Sequence, residues 1–205
     1  MPEKGQTTCE LAAAKKSLAS RVKQIRRLAS ESIGKRQTRL ISDRFMEARS
    51  QGLECTVPSV ISGYWPINHE IDITQLLRSL HGEGMTICLP VYNGLKRSMI
   101  FRSWEPGDVL YSGTFGVYEP SREKKELRPA VLLVPLLAFD ALGNRLGYGG
   151  GCYDSTIIAL RRLGDIITVG VAFDCQQVDS VPADERDQRM DWIITEEKVM
   201  RLGRI

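Results

Sequence analysis

The N-terminal quarter of the chain has the hydrophobic spacing of amphipathic helices. Apolar residues recur there every three or four positions, which predicts one long helix. This stripe consists of Leu11, Ala14, Leu18, Val22, Ile25 and Ala29. Residues 1–9 carry no such pattern, so we expect them to be frayed and residues 10–50 to form a helical, basic segment.

A second apolar stripe predicts a second helix before residue 52. It runs from Leu40 to Ala48, and Gly52 marks its end. Ser30 or Ser32 is the expected N-cap, because a serine hydroxyl can accept from the free N–H groups of a helix start.

Beyond residue 52, short β-branched and aromatic runs alternate with helical spacing. The expected strands are 57–65, 86–91, 98–104, 130–134, 166–173 and 192–195, and the expected helices are 72–80 and 157–163. Residues 105–129 indicate loops with short extended pieces. Alternating strands and helices predict an α/β fold, a three-layer α/β/α domain with a mostly parallel sheet. With no linker in the pattern, residues 1–205 are interpreted as a single domain.

The composition is that of a soluble globular protein. The 205 residues are 42% hydrophobic and 26% charged. No apolar run approaches the ~20 residues that cross a bilayer, and no apolar segment of a signal peptide follows the first residues. We therefore expect a cytoplasmic monomer without a membrane partner.

Cysteine and histidine give little material for disulfides or metal clusters. The five cysteines are an odd number and form no Cys-x-x-Cys pair, so a disulfide framework or zinc ribbon is not expected. Only two histidines are present.

The net charge of +3 conceals an uneven distribution. Residues 1–50 hold twelve Lys and Arg against five acids, whereas the remainder holds sixteen against twenty. This basic segment indicates either an anionic ligand or packing of opposite charges within the protein.

The glycine-rich stretch 143–154 is the strongest chemical signal. Its glycines allow positive φ angles and could direct several backbone N–H groups at one anion, aided by the following helix N-terminus. Arg145 suits phosphate oxygens and Asp154 suits Mg²⁺. The spacing matches neither the P-loop nor the dinucleotide fingerprint. The alternative is a glycine-rich turn without a ligand.

Several motifs together resemble the 5-formyltetrahydrofolate cyclo-ligase family over most of the chain. The residues that carry the resemblance are Lys15–Leu18, Tyr64–Asp72, Phe115–Pro120, Val134–Pro135, Ala138–Asp140, Asn144–Gly151 with Asp154, Gly170–Asp174 and Asp191–Glu196. Three positions depart from the family pattern: Ala19, Cys152 and Arg186. An arginine is usual at position 19, and Arg21, Lys23 or Arg26 could replace it.

The resemblance implies an ATP- and Mg²⁺-dependent cyclisation of 5-formyltetrahydrofolate to 5,10-methenyltetrahydrofolate, with ADP and phosphate released. It implies catalytic roles for Arg145 and Tyr153 and metal ligation by Asp154 and Asp191. The implied ATP contacts are Lys15, Arg145, Leu146, Gly147, Tyr148, Gly149, Gly150, Gly151, Cys152 and Tyr153. The implied folate contacts are Trp65, Glu70, Tyr148, Gly149, Gly150, Gly151 and Cys152.

Glu70 also attracts attention by its place in the pattern alone. It lies just past the end of a predicted strand, where ligands of open α/β sheets bind. A carboxylate there could accept two N–H groups of a pterin, and an ordinary loop acid is an equal alternative without the resemblance.

Two other functions stay open on the sequence. A sugar-phosphate isomerase or acyl-CoA transferase relative would need a glutamate in the glycine region, and residues 143–153 contain none. A nucleic-acid-binding module could use the basic helix, but Gln24 is the sole amide or aromatic residue within 15–27. We therefore expect no nucleic-acid partner.

Overall fold

The computed structural model describes residues 4–203, which begin with two consecutive helices. Helix α1 spans Lys4–Ile33 and helix α2 spans Arg36–Ser50. Most of the segment expected to be frayed is thus helical, and residues 1–3 lie outside the described residues.

The turn between the helices lies later than the sequence pattern predicted. Ser30 and Ser32 belong to α1, and Lys35 occupies the N-cap position of α2 without a side-chain cap. The chain turns at Gly34, whose φ of +55° a glycine adopts without steric cost. The prediction of a serine N-cap was wrong for this reason.

The rest of the described chain alternates between strands and helices, with the following bounds. The elements are β1 Val60–Ser62, α3 Thr74–Gly82, β2 Thr86–Val91, β3 Ile100–Ser103, β4 Leu110–Ser112, β5 Tyr118–Pro120, β6 Val131–Pro135, β7 Ala138–Phe139, β8 Arg145–Leu146, α4 Cys152–Leu163, β9 Ile167–Val171, β10 Trp192–Ile194 and β11 Val199–Arg201.

Seven of these strands form one sheet in the order β11-β10-β9-β6-β1-β2-β3. The five central strands are parallel, and β11 and β3 close the two edges in antiparallel pairing. The expected mostly parallel sheet is confirmed. Strand β1 is shorter than the predicted 57–65, because the chain leaves the sheet after Ser62 and Tyr64 bonds through its hydroxyl to the Ile71 carbonyl.

Alternating side chains of the strands feed two separate cores. Leu133 of β6 packs in the core that contains α2 and α3, whereas Leu132 and Val134 pack on the opposite face with Ile157 and Leu160 of α4. A continuous apolar run buried on both faces is what a central parallel strand requires. Helices on both faces make the three-layer α/β/α arrangement.

Helix α1 crosses the edge of the sheet at which the parallel strands end. Its Leu18 and Val22 pack against Leu137 and Ala138, which follow β6, and against Leu146 of β8. The basic N-terminal segment is therefore held over the carboxyl edge, where ligands of such sheets bind. No helix within residues 4–203 is long and apolar enough to cross a membrane.

Candidate active site

The glycine loop 147–151 lies at this carboxyl edge, between β8 and the start of α4. Gly149 and Gly151 have φ angles of +86° and +63°, so the loop needs glycine at both positions. A Cβ at Gly147 or Gly149 would meet no atom within 4 Å, so the loop borders open space. Helix α4 follows the loop directly and has no side-chain N-cap, so its first N–H groups suit an anion.

Arg145 and Asp154 are bonded to each other beside this loop. The Nη2 of Arg145 donates to Oδ1 of Asp154 at 2.7 Å, and its Nη1 donates to the backbone carbonyl of Gln188. The same Oδ1 accepts from the backbone N–H of Gln188 at 2.9 Å. The predicted phosphate ligand and the predicted metal ligand therefore hold the 184–191 segment against α4.

Glu70 lies past β1 in a tight turn at the same edge. The backbone N–H of Glu70 donates to the Ile67 carbonyl at 2.9 Å, and its Oε2 accepts from the Ile67 N–H at 3.0 Å. Asn68 and His69, the residues between them, both have positive φ angles, a conformation that clusters at functional sites. This turn directs the carboxylate inward, and burial raises its pKa from 4.5 to about 7.

Arg26 of α1 is the cation nearest to Glu70. Both side chains are buried, and Nη1 of Arg26 is 3.9 Å from Oε1 of Glu70. The Nη2 of Arg26 donates to the Asn68 carbonyl at 2.6 Å and to the hydroxyl of Tyr148. Helix α1, the Glu70 turn and the glycine loop thus meet at one guanidinium.

A cavity of about 520 Å³ opens at this meeting point. We call it the basic cavity; its lining residues are Ser20, Lys23, Gln24, Arg26, Arg27, Asn68, His69 and Tyr148. The Tyr148 ring is half-exposed, and Lys23 Nζ and the Arg26 guanidinium each lie 5.5 Å from its centre. The cavity therefore presents three positive charges and an aromatic face.

Tyr153, in the first turn of α4, has its hydroxyl buried near Tyr92 and Glu70. Its hydroxyl is buried without a well-formed hydrogen bond within the described chain. Burial raises its pKa well above 10, with Tyr92 and Glu70 as further nearby contributors. A neutral phenol at this place can donate or accept a hydrogen bond.

Trp65 precedes the Glu70 turn in the chain. Its ring meets that of Trp104 edge to face, with the ring centres 6.2 Å apart. Together with Asp108, Leu110 and Tyr118 it lines a second cavity of about 290 Å³. A flat apolar ligand would find ring surface here.

Three other predicted site residues have partners within the protein. Lys15 Nζ lies 2.5 Å from Oδ2 of Asp187. Leu146 is buried against α1, so its side chain serves the core. The Cys152 thiol is buried and lies 3.4 Å from the Gly94 carbonyl. Their roles toward a ligand stay predictions.

Asp191 lies at the start of β10. Its Oδ2 accepts from the N–H and the hydroxyl of Thr168, near the start of β9, at 2.7 and 2.8 Å. The carboxylate is buried and ties two strands together at their amino ends. Its role as a metal ligand stays a prediction.

Asp154 is the better placed carboxylate for Mg²⁺. Its Oδ2 forms no hydrogen bond within residues 4–203, and the side chain is partly exposed beside the glycine loop. Mg²⁺ needs one or two carboxylates together with phosphate oxygens and waters. No group of three or more His, Cys, Asp or Glu side chains that could hold a metal occurs within this part of the chain. One carboxylate beside a loop that could hold phosphates fits such a metal.

Sequence reasoning gave Arg26 no more weight than its neighbours. Of the three residues named as replacements at Ala19, Lys23 and Arg26 line the basic cavity, and Arg21 does not. The available signal was spacing: Arg26 follows Leu18 and Val22 on the inward stripe of α1 by eight and four positions. A charged residue on an apolar stripe indicates a buried charge that needs partners.

Comparison with known proteins identifies the family of the chain. Residues 11–196 match the 5-formyltetrahydrofolate cyclo-ligase family. The 5-formyltetrahydrofolate cyclo-ligase of Haemophilus influenzae is 34% identical over 132 residues, 62% of this chain and 70% of that protein.

Solved structures lead to the same relatives. The 5,10-methenyltetrahydrofolate synthetase of Aquifex aeolicus superposes with a TM-score of 0.72 and 30% identity, over 94% of this chain and 95% of that one. The synthetase of Mycoplasma pneumoniae shares the fold with a TM-score of 0.66 and 21% identity, over 89% and 98%. The chain belongs to the 5-formyltetrahydrofolate cyclo-ligase family.

Proposed function

We propose that this protein closes 5-formyltetrahydrofolate to 5,10-methenyltetrahydrofolate at the expense of ATP. The observation that carries the proposal is the meeting of Glu70, Arg26 and Tyr148 beside the glycine loop. The Arg26 guanidinium links a carboxylate that suits a pterin, that of Glu70, to the loop that suits phosphates, through Tyr148. Family membership of residues 11–196 supports the same reaction.

The folate is proposed to bind through Glu70. A pterin carries two adjacent N–H donors, and an ionised carboxylate accepts both with charge-assisted hydrogen bonds. Trp65 in the second cavity and Tyr148 in the basic cavity are the proposed ring surfaces for the folate. The loop positions 149–151 and Cys152 lie between the two substrates in this proposal.

The nucleotide phosphates are proposed to bind at the glycine loop and the α4 N-terminus. The open space at Gly147 and Gly149 leaves room for phosphate oxygens against the backbone. Lys15 and Arg145 are the proposed side-chain cations. Each is paired with an aspartate in the structure, so a phosphate would have to draw them away from Asp187 and Asp154.

Asp154 is the residue that would hold Mg²⁺, through the oxygen that Arg145 does not use. When bound, the metal would neutralise charge on the phosphates. The protein side of the task is placement: the site must hold the formyl oxygen in line with the γ-phosphate and exclude water. No nucleophilic side chain is needed.

The chemistry follows from the weak electrophilicity of an N-formyl group. The formyl oxygen attacks the γ-phosphorus of ATP, ADP leaves, and the carbon becomes an iminium phosphate. The neighbouring N10 then attacks that carbon and loses its proton, and inorganic phosphate leaves with the former formyl oxygen. Arg145 and Tyr153 are the proposed hydrogen-bond donors that stabilise the negative charge on oxygen during these steps.

The test combines the protein, MgATP and 5-formyltetrahydrofolate and follows the near-ultraviolet absorbance of the methenyl product. We expect product formation that depends on both ATP and enzyme, with one ADP formed per product. Product without ATP consumption, or ATP consumption without product, would contradict the proposal.

A further inference from the structure

Among the α1 side chains that the structure describes, Arg26 is the one charged side chain that is buried. It is 2% exposed, whereas Arg21, Lys23 and Arg27 of the same helix are exposed. Burying a charged group is costly unless it is paired and hydrogen-bonded. The protein thus holds a guanidinium inside the candidate site at some cost.

The pairing of Arg26 is incomplete. Its Nη2 donates to the Asn68 carbonyl and the Tyr148 hydroxyl, but Nε and Nη1 have no hydrogen-bond partner within the described residues. The Glu70 carboxylate, 3.9 Å from Nη1, lies beyond hydrogen-bonding distance. Two buried nitrogens, which carry three N–H groups between them, therefore stay available to a ligand that binds beside Glu70.

The donors and acceptors of this pair complement one edge of a pterin ring. That edge carries the 2-amino and N3 hydrogens, followed by the C4 carbonyl oxygen. A carboxylate matches the two donors, and a guanidinium beside it matches the oxygen. Glu70 alone would satisfy only the first part of this edge.

Building on the proposed function, we propose that Arg26 is a specificity-determining residue that contacts the substrate. Its guanidinium donates to the C4 carbonyl oxygen of the pterin whose N–H edge binds to Glu70. Arg26 thereby distinguishes a 4-oxo pterin from a ring with a donor at the same position.

The first measurement is the affinity for 5-formyltetrahydrofolate by calorimetry without ATP. We expect Arg26→Met to weaken binding about tenfold to a hundredfold, the range expected for a lost hydrogen bond to a charged group. Arg21→Met removes the same charge from an exposed position of α1 outside the basic cavity and should bind like the unmodified protein.

The second measurement distinguishes direct contact of Arg26 with the pterin from a purely structural role of Arg26. The 4-amino-4-deoxy analogue of 5-formyltetrahydrofolate replaces the oxygen acceptor with an amino donor, and its N3 also lacks the hydrogen that faces Glu70. Because Glu70 is present in every variant, the change in preference between the unmodified protein and Arg26→Met measures the part that depends on Arg26. The preference of the unmodified protein for the 4-oxo compound should fall at least tenfold in Arg26→Met. A purely structural role would weaken both ligands by the same factor and leave the preference unchanged, which would overturn the inference.

A conservative variant keeps the test decisive if Arg26→Met does not fold. Arg26→Lys retains the charge beside Glu70 but moves the donors, so the preference should fall in this variant as well. An unchanged preference in both folded variants rejects the role of Arg26 while leaving the proposed function intact. Absence of binding to the unmodified protein would reject the proposed function itself and the inference with it.

Discussion

Arg145 and Asp154 form an ion pair at the start of α4, with Nη2 and Oδ1 2.7 Å apart. The Arg145 side chain is 5% exposed and that of Asp154 is 24% exposed. The pair lies next to the glycine loop, and Gln188 bonds to both of its members. A ligand at the loop therefore meets two charges that already stabilise each other.

Replacement of Asp154 by asparagine tests the metal site. We expect Asp154→Asn to lose most of its turnover and to need more Mg²⁺, because a neutral amide is a weaker ligand. It should also lose about 1–3 kcal/mol of stability, since the buried Arg145 loses its charged partner. Turnover against Mg²⁺ concentration and a denaturant titration measure the two effects. Asp179→Asn, at an exposed position, is the control; a metal dependence equal to that of the control removes Asp154 from the metal site.

Glu70→Gln should weaken folate binding and leave ATP binding unchanged. The amide presents a donor where the pterin also presents one, and a lost charge-assisted bond costs about 1.5–3 kcal/mol. Calorimetry with each ligand in turn measures the difference. Glu123→Gln changes an exposed glutamate in the same way and should affect neither ligand. Equal losses for both ligands would contradict a folate-specific role.

The raised pKa of Glu70 predicts a pH dependence of stability. Burial raises it from 4.5 to about 7, so between these values the unfolded chain releases a proton that the folded protein keeps. The contribution of Glu70 to the free energy of unfolding is therefore most favourable below pH 4.5. It is lost as the pH rises from 4.5 to about 7. The expected slope is about 1.4 kcal/mol per pH unit at mid-window. Denaturant titrations of the unmodified protein and Glu70→Gln, taken as a difference, isolate this slope. A difference that is flat from pH 4.5 to pH 7.5 would show that Glu70 titrates normally.

Gly149→Val should abolish ATP-dependent turnover in a folded protein. The φ of +86° excludes a β-branched residue, and the added methyl groups would fill the space beside the loop. Gly34→Val carries a comparable backbone penalty, about 1–3 kcal/mol, at the turn between α1 and α2. Thermal unfolding and ATP turnover are measured on both variants. Normal turnover by Gly149→Val would show that the loop is a structural turn and does not bind the phosphates.

The pair of Lys15 and Asp187 allows a test with opposite signs. If Lys15 binds phosphate, Lys15→Met should weaken ATP binding, whereas Asp187→Asn should strengthen it by freeing the ammonium. The ion pair itself is partly exposed and should contribute less than about 1 kcal/mol to stability. ATP affinity is measured by calorimetry for each variant. A loss in both variants would indicate that the pair only fixes the 184–191 segment to α1.

The sequence by itself determined the elements and most of the architecture. Apolar periodicity located α3, α4 and the buried strands β6 and β9, because the exposure of a side chain repeats with the period of its element. The uninterrupted apolar run of β6 also indicated a strand with helices on both faces. The spacing of the glycines and Asp154 predicted a phosphate-binding role for the loop, which stays a prediction.

The tertiary structure alone decided which charges meet. The family resemblance assigned Lys15 to phosphate and gave Arg26 no special place. In the structure Lys15 pairs with Asp187, and Arg26 lies buried beside Glu70. Lysine and arginine side chains are long, so their partners depend on which segments the fold brings within reach. Arg26 and Glu70 are 44 positions apart and meet only because α1 crosses the carboxyl edge of the sheet. Local periodicity records which face of a helix is buried, and the packing of the whole chain determines what that face contacts.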